Sequence, residues 1–181
     1  MSDAHSSPNV IDLVRQHHAL LFRYAYRLTG SVTDAEDLTQ ETYLQACRKL
    51  DQLRDVQRAK GWLCTILRNR YLKRLRDNEQ GELPLGDKLA TIAEPNPAKA
   101  AAFGIDSDQL QAALGALPEQ FRSPLILFYF EEFSYQEIAD QMDVPVGTVM
   151  SRLSRGNAHL RRTLLDAAHY GPLNNSAAIS M

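Results

Sequence analysis

Residues 134–162 read SYQEIADQMDVPVGTVMSRLSRGNAHLRR, and this stretch decides how the second half of the chain is built. Ser134-Tyr-Gln-Glu137 has the spacing of a capping box, with Ser134 as N-cap and Glu137 reaching back to it. Ile138 and Ala139 then face inward, and the small Ala139 lets a second helix cross closely. Met142-Asp143-Val144 supplies the turn, where Asp143 tolerates a left-handed backbone at modest cost. Pro145 opens the second helix, where its missing N–H costs nothing. Val149 and Leu153, four residues apart, anchor that helix inward. Pro145, Val146, Gly147, Thr148, Met150, Ser151, Arg152 and Arg155 are left to face outward. This is the pattern of a helix-turn-helix, whose second helix presents its first turns to base edges in the major groove of duplex DNA. Arg can pair bidentately with guanine, and Thr or Met can touch a thymine methyl. Arg155, Arg161 and Arg162 suit phosphate. The competing reading is an ordinary helical hairpin with a basic face; the agreement of cap, small residue, turn, Pro start and inward pair stands against it.

Working back from this segment, Ser107 to Leu117 and then Glu119 to Tyr129 or Phe130 read as helices, with Pro118 suited to the first turn of the second. Pro124 lies inside that pattern, where it kinks the helix or moves its start. Leu125 to Phe130 is a dense apolar run for which a buried strand competes. A buried helix is preferred, because the surroundings are helical and no strand partner is visible. From Asp77 to about Asp106 the periodicity fails: Gly81, Pro84, Gly86, Pro95, Pro97 and Gly104 break any long helix, and Glu82, Asp87, Glu94 and Asp106 make the stretch acidic. A structureless stretch of this length inside one compact domain would be unusual, so it reads as an acidic flexible linker over 78–106 between two domains.

The first domain, 9–77, reads as three helices. Val10 to Leu28 carries apolar residues at helical spacing and is stopped by Gly30. Either Ser31 or Thr33 can cap the next helix, which runs to about Leu50. Its stripe is Ala35, Leu38, Thr42, Ala46 and Leu50, widened by Tyr43, Leu44 and Cys47. After a polar joint, Ala59 to Arg76 carries Trp62, Leu63, Ile66, Leu67, Tyr71 and Leu75. The expected fold class is therefore all-α: two small helical domains, 9–77 and 107–168, followed by a tail, 169–181, with no pattern to interpret.

The formal net charge of −2 is low for a nucleic-acid binder, but the charges are segregated. Arg54, Arg58, Lys60, Arg68, Arg70, Lys73, Arg74 and Arg76 crowd one stretch, and Arg152, Arg155, Arg161 and Arg162 another. Acids gather at Asp34, Glu36, Asp37 and Glu41, and again from Glu131 to Asp143. Such asymmetry points to different partners for different faces. No apolar run is long enough to span a bilayer, and MSDAHSSPNVID lacks the pattern of a secretory signal, so a cytoplasmic protein is expected. Cys47 and Cys64 read as reduced thiols acting as small hydrophobes. The histidines lack metal-ligand spacing, and no phosphate loop or nucleophile–base pair is visible. Neither a cofactor, a metal nor a catalytic activity is expected.

Four motifs in order carry a resemblance that covers nearly everything but the tails and linker: DAEDLTQETYL (34–44), GWLCTILRN (61–69), LPEQFR (117–122) and the helix-turn-helix from Phe133 to Arg155 with PVGTVMSRLSR. The chain resembles bacterial sigma factors of the extracytoplasmic-function group, which retain regions two and four. The resemblance implies a promoter-specificity subunit of RNA polymerase. The helix with Asp34, Asp37, Leu38, Gln40 and Glu41 would bind the clamp helices of the largest core subunit. Arg54, Arg58, Lys60, Arg68, Asn69 and Lys73 would hold the melted minus-ten strand, and the helix-turn-helix would read the minus-thirty-five element. Trp62 suits the core better than a stacking platform, because Leu63, Ile66 and Leu67 bracket it. The linker would run through a basic polymerase channel. Free in solution, the two domains would pack together and hide both DNA faces, enforced by an anti-sigma protein. Two departures from the family pattern stand out: Asp143 stands where a turn Gly is common, and Asn157 and His159 lie in a stretch often richer in Arg. The alternative function is a stand-alone helix-turn-helix regulator that binds duplex operators.

Overall fold

The computed structural model describes residues 9–79 and 107–169. Apart from Asn78 and Glu79, which continue a helix, the 78–106 linker lies outside the described residues, as does the tail after His169. The described residues form helices without strands: α1 (Val10–Thr29), α2 (Val32–Arg48), α3 (Ala59–Glu79), α4 (Ser107–Ala116), α5 (Glu119–Tyr129), α6 (Tyr135–Met142) and α7 (Val146–His169). Two short 3₁₀ turns, Leu50–Gln52 and Val56–Arg58, join α2 to α3.

Local chemistry sets the boundaries in the first domain. The Asn9 side chain accepts from the Ile11 N–H to start α1. Gly30, at φ 71°, ends it with an N–H donated to the Tyr26 carbonyl at 2.7 Å; a residue with a Cβ is disfavoured at that angle. Of the two candidate caps for α2, Ser31 serves, accepting from Asp34 N–H. Leu21, Tyr24, Ala25 and Leu28 of α1 meet Ala35, Leu38 and Ala46 of α2 and Leu63, Cys64 and Leu67 of α3 in the core. The buried hydroxyls of Thr39 and Thr42 donate to the carbonyls four residues back, at 2.7 Å each, so they enter the core with their donors satisfied. Burial pushes the Cys64 thiol up, which leaves it inert. Leu44 and Cys47, expected to widen the inward stripe, are exposed instead, while Tyr43 packs against the core. Each α-helical residue turns by about 100°, so residues at the edge of a wide stripe fall outside the contact with the neighbouring helices.

In the second domain, Pro118 immediately precedes α5, and the helix continues through Pro124 to Tyr129. Leu125, Ile126 and Leu127 are buried on this helix, so the apolar run is not a strand. α7 crosses α5 closely at Gly156: a Cβ there would lie 2.8 Å from Leu125 Cδ1 and 3.3 Å from both Leu125 Cγ and Phe121 Cβ.

The two domains share one continuous apolar core. α1 packs against α4 and α5, and α3 packs against α6.

Replacing Gly156 with Ala should lower stability by about 1–3 kcal/mol through overpacking, although Ala is the better helix former. Gly115→Ala, where a Cβ meets nothing within 4 Å, should instead raise stability by up to ~1 kcal/mol. Urea unfolding followed by circular dichroism separates the two; equal effects would contradict the close crossing.

Candidate nucleic-acid interface

The helix-turn-helix forms as its sequence dictates. Ser134 N–H donates to Glu137 Oε2 at 2.8 Å, and Glu137 N–H donates to Ser134 Oγ at 3.3 Å, closing the capping box. The backbone bond from Ser134 holds the Glu137 carboxyl below its usual range. Asp143 adopts the left-handed conformation, φ 52° and ψ 51°, that a turn Gly would adopt more readily. Thr148 and Val149 N–H groups donate to the Pro145 carbonyl at 2.8 and 3.2 Å, so Pro145 is the residue just before α7. Val149 and Leu153 are buried against the domain. Pro145, Gly147, Met150 and Arg155 are exposed, Met150 to 53%, and Val146, Thr148, Ser151 and Arg152 are half-buried beside them. The departures at the far end of α7 have local uses. Asn157 Nδ2 donates to the Tyr129 hydroxyl at 2.9 Å, and His159 Nε2 lies 3.3 Å from Arg162 Nη2.

On α2, Asp34, Asp37 and Gln40 are exposed. Leu38 is fully buried, so it supports the helix from inside and does not present its side chain to a partner. Glu41 is bound within the domain: Arg74 Nη2 lies 2.9 Å from Oε1 and Arg70 Nη2 2.9 Å from Oε2. The Arg74 hydrogen bond, chiefly, holds its carboxyl below the usual range. Leu44, 61% exposed, lies one turn beyond Gln40 and adds an apolar element to the acidic face.

The residues expected to hold a single strand divide into two groups. Arg54, Arg58, Asn69 and Lys73 are exposed; the Arg58–Asp55 pair, at 3.8 Å on the surface, contributes little. Trp62 packs against the core, as its bracketing leucines imply. Lys60 and Arg68 are engaged by the second domain. Lys60 Nζ donates to the Glu131 backbone carbonyl at 2.8 Å and lies 4.1 Å from the Phe133 ring centroid. Arg68 donates to Glu119 through Nε at 3.1 Å and Nη2 at 3.4 Å. Arg23 Nη2 donates to Glu131 Oε2 at 2.9 Å, and the Glu131 side chain is only 1% exposed. Burial, the largest influence, raises the Glu131 carboxyl pKa against the opposing pull of Arg23.

Arg122 completes the joint. Its Nη1 donates to the Leu28 carbonyl at 3.1 Å and the Tyr71 hydroxyl at 2.7 Å, and its Nη2 to the Gly115 and Leu117 carbonyls at 2.7 Å each. Gln111 Nε2 donates to the Arg27 carbonyl at 3.1 Å, supplying a donor to the C-terminal end of α1. Arg23, Gln111, Glu119, Arg122 and Glu131 were not anticipated as a cluster from sequence. The outward face of α7 remains accessible in this packing, while Lys60 and Arg68 are engaged across the joint.

Residues 13–80 match Sigma-70 region 2, and residues 107–160 match Sigma-70, region 4. The chain is 37% identical over 162 residues to the ECF RNA polymerase sigma factor SigE of Mycolicibacterium smegmatis, covering 88% of this chain and 63% of that protein. It thus spans less than two-thirds of SigE, but it spans 86% of EcfG of Rhodopseudomonas palustris, to which it is 33% identical over 86% of its own length. Among solved structures, it is similar to the sigma factor RpoE of Bartonella quintana in complex with the anti-sigma factor NepR, with a TM-score of 0.71, 26% identity, and coverage of 86% of this chain and 96% of that one. It also resembles CnrH in complex with the cytosolic domain of CnrY, with a TM-score of 0.59, 25% identity, and coverage of 87% and 88%. The chain belongs to the extracytoplasmic-function (ECF) sigma factors, the non-catalytic promoter-specificity subunits of bacterial RNA polymerase. The stand-alone regulator reading is not favoured, since both sigma regions are present in order. Among the described residues, no helix is long and apolar enough to cross a membrane.

Because the folded-state pKa of Glu41 is depressed, its pairing with Arg70 and Arg74 stabilises the first domain above the ordinary Glu value of 4.5. That contribution should fade as pH falls through the folded value. Glu41→Gln should cost no more than ~1 kcal/mol per half-exposed pair at neutral pH and flatten the acid limb of stability against pH. Urea titrations across that range check this; an unchanged acid limb would contradict it.

Proposed function

We propose that this chain directs transcription initiation by a two-point grip on promoter DNA while riding on core RNA polymerase. The carrying observation is the outward face of α7, held in helix-turn-helix geometry by Val149 and Leu153. Pro145, Val146, Gly147, Thr148, Met150, Ser151, Arg152 and Arg155 would meet the minus-thirty-five duplex, where groups on the first turns of such a helix reach base edges.

The α2 face of Asp34, Asp37 and Gln40, extended by Leu44, would dock on the basic, partly apolar clamp helices of the core enzyme, a pairing that charge complementarity favours. Glu41 would contribute through the charge it shares with Arg70 and Arg74. Arg54, Arg58, Lys60, Arg68, Asn69 and Lys73 would track the melted minus-ten strand. Extruding a base costs a few kcal/mol of stacking, which hydrogen bonds to base edges and a basic track for the backbone offset. The subunit supplies binding energy and geometry, and bond-making remains with the polymerase. Such a protein works in the cytoplasm. The similar RpoE and CnrH were solved with an anti-sigma factor and with the cytosolic domain of CnrY respectively, and a partner of the anti-sigma class is proposed for this chain as well.

Run-off transcription with purified core polymerase on genomic promoter fragments tests the reading: specific transcripts should require the added chain, and their absence together with no co-elution with core would contradict it. In the same assay, Arg152→Ala should weaken discrimination at one upstream base pair by ~1–3 kcal/mol. Uniform weakening across sequences would instead place Arg152 on phosphate.

A further inference from the structure

Tyr129, the last residue of α5, has its ring and its hydroxyl held separately. The ring lies edge-on to Phe128, with centroids 5.0 Å apart and an interplanar angle of 86°, and Phe128 in turn stacks on Tyr135 at 5.0 Å. Asn157 Nδ2, on α7, donates to the Tyr129 hydroxyl oxygen at 2.9 Å. A phenol carries one proton and two acceptor lone pairs. Because the oxygen accepts from Asn157, its proton is left to donate elsewhere, and Tyr129 is 42% exposed. Asn157 follows Met150 by two turns of α7, so the two share a face and stand about 10 Å apart along the axis. The major groove is about 12 Å wide. With Thr148 and Met150 at base edges, this face of α7 meets the rim of the groove, where the phosphate backbone runs, near Asn157 and Tyr129. Residues 156–160, GNAHL, carry no Lys or Arg to serve there. We propose that the Tyr129 hydroxyl, oriented by Asn157, donates to one phosphate at the edge of the upstream duplex. Tyr129 is the contact and Asn157 the positioning residue. The proposal rests on the reading of α7 as the duplex-binding helix made above, and it adds two residues to that footprint.

The Asn157–Tyr129 bond has more to offer a ligand than the fold. It is a neutral bond at the surface, where water replaces either partner at little cost to stability. Its remaining effect is directional, since it fixes which way the hydroxyl proton points. The ring is already braced by Phe128, so little side-chain freedom is left to lose on binding. A hydroxyl donating to a phosphate forms a charge-assisted bond, stronger than the bond it makes to water or to a neutral group. Arg155 and Arg161, both exposed on α7, attract the backbone from a distance through charge. The hydroxyl acts only at hydrogen-bond range, so it sets the depth and angle at which α7 sits. Contacts of this kind fix the register of a reading helix and carry no sequence information themselves.

The test uses the full chain assembled with core polymerase, on a labelled promoter duplex identified by run-off transcription. Tyr129→Phe removes the hydroxyl and keeps the ring. Its affinity should fall about tenfold, the size of one hydrogen bond to a charged group. The fall should be the same for the original upstream sequence and for single base-pair variants of it. The slope of log affinity against log salt should stay unchanged, because no cation is lost. Replacing upstream phosphates one at a time with methylphosphonates should reveal one position where the original chain loses affinity and Tyr129→Phe does not. Asn157→Ala should lose its response at the same position, and the double variant should bind no more weakly than Tyr129→Phe. Asn157→Asp, whose carboxylate would accept the hydroxyl proton, should weaken binding at least as much as Asn157→Ala. Circular dichroism of each free variant should match the original chain. Undiminished binding by Tyr129→Phe overturns the contact. So does a weakening that leaves the response to every phosphate as it was, since that is a structural effect only. Full binding by Asn157→Ala overturns the positioning role. If the original holoenzyme binds without regard to the upstream element, the duplex reading fails and the proposal with it; the loss of one phosphate response from a discriminating holoenzyme is a separate result.

Discussion

Glu131 is the residue on which the arrangement of the two domains turns. Its carboxylate is almost wholly buried, paired through one oxygen with Arg23, and its backbone carbonyl takes Lys60. A charge moved out of water is tolerated only when opposite charges and donors surround it. The chain meets that condition by bringing α1 and α3 of the first domain against the end of α5 in the second. Arg122 fixes the same joint from the other side, placing one guanidinium on the Leu28 carbonyl and the Tyr71 hydroxyl while its second nitrogen ties the turn before α5. The position of Lys60 and Arg68 against the second domain follows from these two residues.

The asymmetry of the result matters for function. A sigma factor must contact core polymerase, duplex and unpaired strand, and these demand different surfaces. The outward turns of α7 and the acidic edge of α2 face solvent. Of the residues proposed to hold the unpaired strand, Arg54, Arg58, Asn69 and Lys73 are open and Lys60 and Arg68 are engaged. Under the proposed function, the surfaces for assembly are accessible and the one needed only after melting is partly covered. Single-strand cations left open would bind any nucleic acid in the cell through phosphate alone, so covering some of them suits a factor whose work is selective.

What could be read from the chain divides along physical lines. Features set by residues close in sequence were legible: the Ser134–Glu137 box, the left-handed Asp143, the Pro118 start of α5 and the Gly30 stop of α1 each follow from a local hydrogen bond or a backbone angle. Features set by three-dimensional packing were not. Leu38 and Leu44 both belong to an apolar pattern, yet one is in the core and the other in solvent, because only the neighbouring helices define which arc of α2 is covered. Gly156 gave no signal as a crossing point, since its significance lies in Leu125 and Phe121 on another helix. The Arg23–Glu131 pair joins residues 108 positions apart. Nothing local marks either partner, except that each is a charge set beside an apolar run. The outward residues of α7 were therefore legible in the sequence, whereas the engagement of Lys60 and Arg68 required the fold.

The most direct test of this account is the chemical accessibility of Lys60. Pulsed amine acylation with mass spectrometry compares it with the exposed Lys49 and Lys73 in the same chain. Lys60 should react much more slowly than both in the free protein, because its amine is bound to the Glu131 carbonyl and lies over Phe133, and it should gain reactivity when core polymerase is added without DNA. A Lys60 as reactive as Lys73 in the free chain, or equally protected before and after assembly, would contradict it.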